Sequence, residues 1–350
     1  MPQPPHAFAR CLHRVAVAAT VAAAMLLTTV PSRTEPNVAP NGMVASPEPL
    51  ATDVGVAILK AGGNAFDAAA AVQFALAVTY PTAGNIGGGG FMVGLTAEGE
   101  AFALDFREEA PGAAHADMFV DANGAMVPNL STDTHAGVGV PGSVDGMLTL
   151  LDRYGTLPRA KVLAPAVALA RDGFPMSYAL AGSLKRNERI RNFASSTTAF
   201  GLEGDGPRMG DLLRQPDLAA TLEAISAEGR DGFYAGRTAD LIVADMRANG
   251  GLITHDDLKS YAAEWREPLV FGHDRYEFIT HPVPSSGGMT IAQTLAVMNM
   301  PVLKRAGYHS AKAVSMVTEA QRLAFADRNF WLGDPDFFDV VVVDECHRSG

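Results

Sequence analysis

The residues best equipped for chemistry stand in LDFREEAP (104–111), where one arginine, Arg107, follows an apolar strand-like run and precedes two glutamates. A guanidinium can grip a carboxylate through two parallel hydrogen bonds. Arg107 can therefore hold the acid group of a substrate, or it can form a structural ion pair with Glu108 or Glu109. Adjacent residues on a strand point to opposite faces, which makes Glu108 a poor neutralising partner. Thr134-His135 places a hydroxyl beside an imidazole, the raw material of a nucleophile and base, though in a loop-like segment. PSSGG (284–288) offers hydroxyls and amides in a turn. That stretch suits either an anion-binding nest or a turn and cap opening a helix from Thr290.

Other constellations fail. No serine lies in GxSxG, which removes the nucleophile elbow of α/β-hydrolases. The glycines Gly84 and Gly87 to Gly90 are followed by a strand rather than by a helix, with no GK[ST], so they fit close backbone packing better than a phosphate cradle. The two cysteines, Cys11 and Cys346, can build no disulfide framework. The nine histidines lack HExxH spacing, so a metal site is not expected. With 27 basic against 38 acidic residues, the net charge of −11 argues against general affinity for nucleic acid or anionic lipid. A small polar or zwitterionic substrate is the natural expectation.

The 350 residues suffice for a large core. Arg10, His13 and Arg14 precede the uncharged run 15–30, and a polar exit follows at 31–40. This reads as a secretory signal over 1–35, shorter than the ~20 apolar residues of a stable membrane span, and it points to a periplasmic or secreted protein. Beyond it the pattern is mixed α and β. Helical spacing with Ser46 or Asp53 as cap and Gly62-Gly63 as stop marks 51–63. The stretch 67–81 carries no charge after Asp67 and predicts a helix buried on every side. FMVGLT (91–96) and AFALDF (101–106) predict a hairpin with Gly99 in its turn. Further helices are expected at 140–155, 161–173, 215–229, 237–251, 290–300 and 313–328, with Thr254 and Asp257 forming a capping box. Val340 to Val343 predict a strand.

The order of these segments is recognisable. GMVASPEPLATDVGVAILKAGGNAFDAAAAV, YPTAGNIGGGGFM, LDFREEAP, GVPGSVDGM, ARDGF, NGGLIT, VPSSGG and ADRNFWLGDPDF together resemble the large-subunit half of a gamma-glutamyltranspeptidase. The resemblance implies an α/β (α+β) N-terminal-nucleophile hydrolase with a stacked αββα architecture, incomplete without its small subunit. It divides the chain into a signal (1–35), a large-subunit-like domain (36–339) and a divergent tail (340–350). It also implies a precursor that cuts itself to free an N-terminal threonine. That threonine attacks the γ-glutamyl amide of glutathione and related compounds, without metal or organic cofactor. On this resemblance Arg107 holds the α-carboxylate of the γ-glutamyl group. The nucleophile is expected on a small subunit, leaving no catalytic residue in this chain and no activity in the chain alone. The alternatives are an inactive truncated remnant, a γ-glutamyl-binding module, or a cephalosporin acylase-like enzyme.

Overall fold

The computed structural model describes residues 38–332. The chain divides into two compact units, 1–43 and 44–350. Of the first, the described residues 38–43 contain neither helix nor strand. The proposed signal, the tail 340–350 and the strand expected at Val340 to Val343 lie outside the described residues.

The second unit begins with helices α1 (Pro49–Lys60) and α2 (Ala65–Thr79), then strands β1 (Phe91–Leu95) and β2 (Ala101–Asp105). Helices α3 (Ser143–Tyr154) and α4 (Arg159–Asp172) follow a long loop. A short pair, β3 (Phe174–Pro175) with β4 (Leu212–Leu213), brackets α5 (Tyr178–Arg186) and α6 (Ala194–Phe200). Next come α7 (Pro216–Glu228), α8 (Asp231–Tyr234), α9 (Gly236–Asn249) and α10 (His255–Ser260). Strands β5 (Glu264–Arg266), β6 (Leu269–His273) and β7 (Tyr276–Thr280) then lead to α11 (Ser286–Val297), α12 (Met300–Ala306) and α13 (Ala311–Trp331).

Helix α1 starts with a proline in its first turn, and the Glu48 carboxylate accepts from the Ala51 amide at 3.0 Å. The cap is thus Glu48 rather than Ser46 or Asp53. Ser46 instead donates to the Glu48 carbonyl at 2.8 Å, and Asp53 is an exposed residue within the helix. Gly62, at φ 89°, takes the left-handed backbone that ends the helix. Helix α2 meets the expectation from its missing charges in large part: Ala70, Ala71, Phe74, Ala75 and Val78 are buried, while Ala69, Val72, Gln73 and Leu76 are half-buried. It packs against α1, α3 and α4.

The predicted hairpin is present, with Phe91 opposite Asp105, Leu95 opposite Ala101 and Gly99 at φ 87° in the turn. Strand β5 pairs antiparallel with the other edge of β2, so β2 is the central strand of a three-stranded sheet. Phe102, Ala103 and Leu104 are buried in succession rather than alternately, so both faces of β2 are covered at this point. One contiguous apolar cluster extends from Ala51 to Tyr261 and includes α2, β2, α3, α4 and α7. Among the described residues, no helix is long and apolar enough to cross a membrane.

Asp67 is fully buried at the start of α2. Its carboxylate accepts from the Asn64 amide (2.9 Å), the Thr156 amide (3.0 Å) and hydroxyl (2.6 Å), and the Leu157 amide (3.2 Å). One side chain thereby caps a helix and fastens it to the loop after α3. Burial acts to raise its pKa, but the bonds from Thr156, Asn64 and Leu157 outweigh this and hold it below the ordinary carboxylate value.

Candidate functional site

The site is built by three of the quoted segments meeting at the end of β2. Phe106 and Gly90 exchange backbone hydrogen bonds at 3.0 and 3.1 Å, which extends the β1–β2 pairing by one residue pair. The Gly88 carbonyl accepts from the amides of Gly142 (2.8 Å) and Ser143 (2.9 Å) at the start of α3. Glu109 and Val140 exchange a further pair at 3.2 and 2.8 Å. The glycine-rich loop, the LDFREEAP loop and the GVPGSVDGM loop are thus stitched to one another by main chain. A Cβ on Gly89 would collide with the Phe106 carbonyl and lie 2.7 Å from the Glu108 nitrogen, so Gly89 is needed for close backbone approach, whereas a Cβ on Gly87 would meet nothing.

Arg107 sits between these two bridges, one residue beyond the Phe106 pair, and is exposed. Its amide donates to Asp105 Oδ1 at 3.1 Å, and its carbonyl accepts from the Tyr261 hydroxyl at 2.8 Å. Both main-chain polar groups of Arg107 are therefore held by side chains. The expectation that strand alternation separates Arg107 from Glu108 needs correction. Regular strand ends at Asp105, and residues 106–108 are a tethered loop. The Arg107 main chain is held by Asp105 and Tyr261, outside the regular pleat.

Each anchor is itself braced. Asp105 Oδ2 accepts from Arg266 Nε at 2.8 Å, and Arg266 also reaches Glu264 at 2.9 Å. Tyr261 is 2% exposed, and its ring stacks on Tyr234 with centroids 5.9 Å apart and planes 2° from parallel. The Tyr234 hydroxyl donates to the Pro141 carbonyl at 2.7 Å and accepts from the Asp145 amide at 3.2 Å. Arg230 lies over the Tyr234 ring at 4.4 Å, pairs with Asp145 Oδ1 at 3.1 Å and donates to the Tyr261 carbonyl. The other Asp145 oxygen accepts from the Ala263 amide at 2.7 Å. Burial pushes both phenols well above the ordinary tyrosine value, so each remains a neutral donor at physiological pH.

The remaining candidates are not brought to this loop. Thr134 donates its hydroxyl to the Leu130 carbonyl at 2.6 Å, while His135 Nε2 lies 2.9 Å from Asp245 Oδ2. The dipeptide is thus divided between two partners and forms no nucleophile–base couple. In PSSGG, α11 begins at Ser286, four residues before the expected start at Thr290. Ser285 is its cap without a side-chain cap bond, and Thr290 is interior, bonded back to the Ser286 carbonyl at 2.8 Å. Among the described residues no group of three His, Cys, Asp or Glu could hold a metal ion. Sequence reasoning missed Tyr261, Asp105 and the Asp145–Arg230 pair. Asp105 had a local signal, a carboxylate two residues before the arginine, whereas Tyr261 had none.

A family model described as gamma-glutamyltranspeptidase matches residues 51–348. The glutathione hydrolase proenzyme of Escherichia coli (strain K12) is 47% identical over 304 residues, covering 86% of this chain and 52% of that protein. The Acylase ACY 1 proenzyme of Pseudomonas sp. (strain V22) is 39% identical over 88% of this chain and 56% of its own length. The chain thus spans about half the length of the relatives it matches. The crystal structure of Helicobacter pylori gamma-glutamyltranspeptidase superposes with a TM-score of 0.84 at 45% identity, covering 87% of this chain and 88% of that one. The mixed helix-and-sheet fold and the matched sequence agree, and the chain belongs to the gamma-glutamyltranspeptidase family.

Proposed function

We propose that this chain serves as the large-subunit portion of an enzyme that transfers or hydrolyses the γ-glutamyl group of glutathione and related compounds. In this reading Arg107 binds the α-carboxylate of that group. The carrying observation is that the Arg107 main chain is fixed at both its N–H and its C=O while the residue itself is exposed at the end of the central strand. A pre-organised guanidinium holds a carboxylate at lower entropic cost than one on a mobile loop. The γ-glutamyl group places its scissile amide several bonds from the α-carboxylate, so a fixed clamp at one end orients the other.

The chemistry that follows is acyl transfer. A hydroxyl adds to the γ-carbonyl, the amine leaves with a proton, and the ester formed is then opened by water or by an acceptor amine. The attacking threonine is assigned to the small subunit, the proposed partner, and no nucleophile is assigned to a residue of this chain. The uncharged run at 15–30 supports export to the periplasm or beyond.

An acylase-like activity is the second reading, and it is supported by the 39% identity to Acylase ACY 1. The two separate on Arg107. In the active enzyme containing this chain, Arg107→Ala impairs hydrolysis of a γ-glutamyl anilide if the γ-glutamyl reading holds. Unchanged kinetics with that substrate would remove Arg107 from substrate binding.

A further inference from the structure

We propose that Tyr261 is a positioning residue for substrate binding, setting the direction of Arg107 through a hydrogen bond to the Arg107 carbonyl. This rests on the reading that Arg107 holds the substrate carboxylate, and it adds what makes that arginine precise.

The geometry is specific. Arg107 lies in a loop segment outside regular strand. The Tyr261 hydroxyl donates to the Arg107 carbonyl at 2.8 Å, reaching across 154 positions of sequence. A phenol is a rigid lever with few rotatable bonds, and this one is clamped along its whole length. Its ring is stacked on Tyr234, its own carbonyl receives Arg230, and its tip meets Gly142. A Cβ on Gly142 would overlap both the Tyr261 hydroxyl and the Phe106 carbonyl. Gly142 has φ −113° and ψ −18°, a conformation open to any residue. Backbone freedom does not require glycine at this position; the space taken by the phenol tip does.

Phe106, Arg107 and Tyr261 therefore meet at one point, with the stacked pair Tyr234–Tyr261 transmitting the position of Arg230 and Asp145 to the arginine loop. Removing the phenol oxygen leaves the ring, its stacking and its burial intact. The lost element is the restraint on the Arg107 carbonyl, so the arginine samples orientations that do not meet the carboxylate.

The test is a double-mutant cycle in the active enzyme containing this chain, with a γ-glutamyl anilide as substrate. Tyr261→Phe is expected to raise KM about three- to ten-fold, the range corresponding to one lost neutral hydrogen bond, with kcat changed less than about two-fold. In an Arg107→Ala background the same substitution is expected to have no further effect on KM. Thermal melting separates these outcomes from a general loss of structure. A fall in kcat with KM unchanged, or full additivity with Arg107→Ala, overturns the positioning role and leaves Tyr261 as core packing. The parent reading fails differently: Arg107→Ala would itself leave KM unchanged.

Discussion

Arg266 Nε donates to Asp105 Oδ2 at 2.8 Å, and the other oxygen of that carboxylate takes the Arg107 amide at 3.1 Å. The side chains of Asp105 and Arg266 are 9% and 18% exposed, so the pair is largely removed from water. Deleting the cation strands a charge beneath the binding loop. Arg266→Ala is expected to lower unfolding free energy by about 3 kcal/mol in urea titration. Asp105→Asn, whose amide oxygen can still accept from Arg107, should cost about 1–2 kcal/mol. A loss of less than about 1 kcal/mol from Arg266→Ala would show that the charge pairing is not what matters.

Arg107 itself allows a graded prediction. Lysine keeps the charge but loses the planar fork, so Arg107→Lys should retain part of the carboxylate binding and Arg107→Ala none. Loss of kcat/KM for a γ-glutamyl anilide is expected to reach roughly 10- to 100-fold in the alanine variant, the range of charge-assisted hydrogen bonds. Steady-state kinetics on both variants decides it. A lysine variant as poor as alanine would place the whole effect in the two-pronged geometry, and two variants indistinguishable from wild type would end the proposal.

Asp67 carries the acid limit of the fold. Its folded pKa lies below the ordinary carboxylate value, because the hydrogen bonds from Thr156, Asn64 and Leu157 outweigh the opposing effect of burial. Such a group contributes stability that is present above about pH 4 and is lost as pH falls through the folded value. Asp67→Asn should therefore destabilise the protein by about 2–3 kcal/mol at neutral pH, with the gap to wild type narrowing below about pH 4. Chemical denaturation across pH 3–7 measures both; a gap that stays constant would show that the carboxylate charge plays no part.

The stacked tyrosines set an alkaline limit. Burial raises both phenols, and for Tyr261 the nearby Tyr234, Glu109, Asp105 and Asp145 raise it further. Their contribution is complete below about pH 10, the value in an unfolded chain, and is lost as pH rises above it. Each phenol should remove about 1.4 kcal/mol of stability per pH unit in that range. Urea midpoints between pH 9 and 11 are expected to fall less steeply in the Tyr234→Phe/Tyr261→Phe double variant than in wild type. Parallel slopes would locate alkaline sensitivity elsewhere.

What could be read from the sequence was local. Helix α2 announces its burial because ten or more positions after Asp67 lack charge, and the β1–β2 hairpin announces itself by alternation around a glycine turn. The start of α11 was misplaced because Ser-Gly-Gly is ordinarily turn material, yet here it forms the first helical turn, where Gly288 packs against Thr280 and the His281 carbonyl. Asp67 was visible as the edge of an apolar run but not as a hub, since Thr156 and Leu157 lie 89 and 90 positions away. Arg107 stood out by residue type and by family resemblance, but regular strand ends at Asp105, so pleat alternation does not extend to it. The true restraints, Asp105 and Tyr261, combine one near neighbour with one remote residue that no local pattern links to it.

That remoteness bears on biosynthesis. The loop bearing Arg107 leaves the ribosome early, but the phenol that fixes it comes 154 residues later and the strand bearing Arg266 is spaced 161 residues from Asp105. A nascent chain halted before residue 261 would carry the arginine without its phenol brace, and one halted before residue 266 would lack the cation that holds Asp105. Ordering of this loop thus reports that the third strand has docked, making the clamp a late product of folding rather than an early local motif.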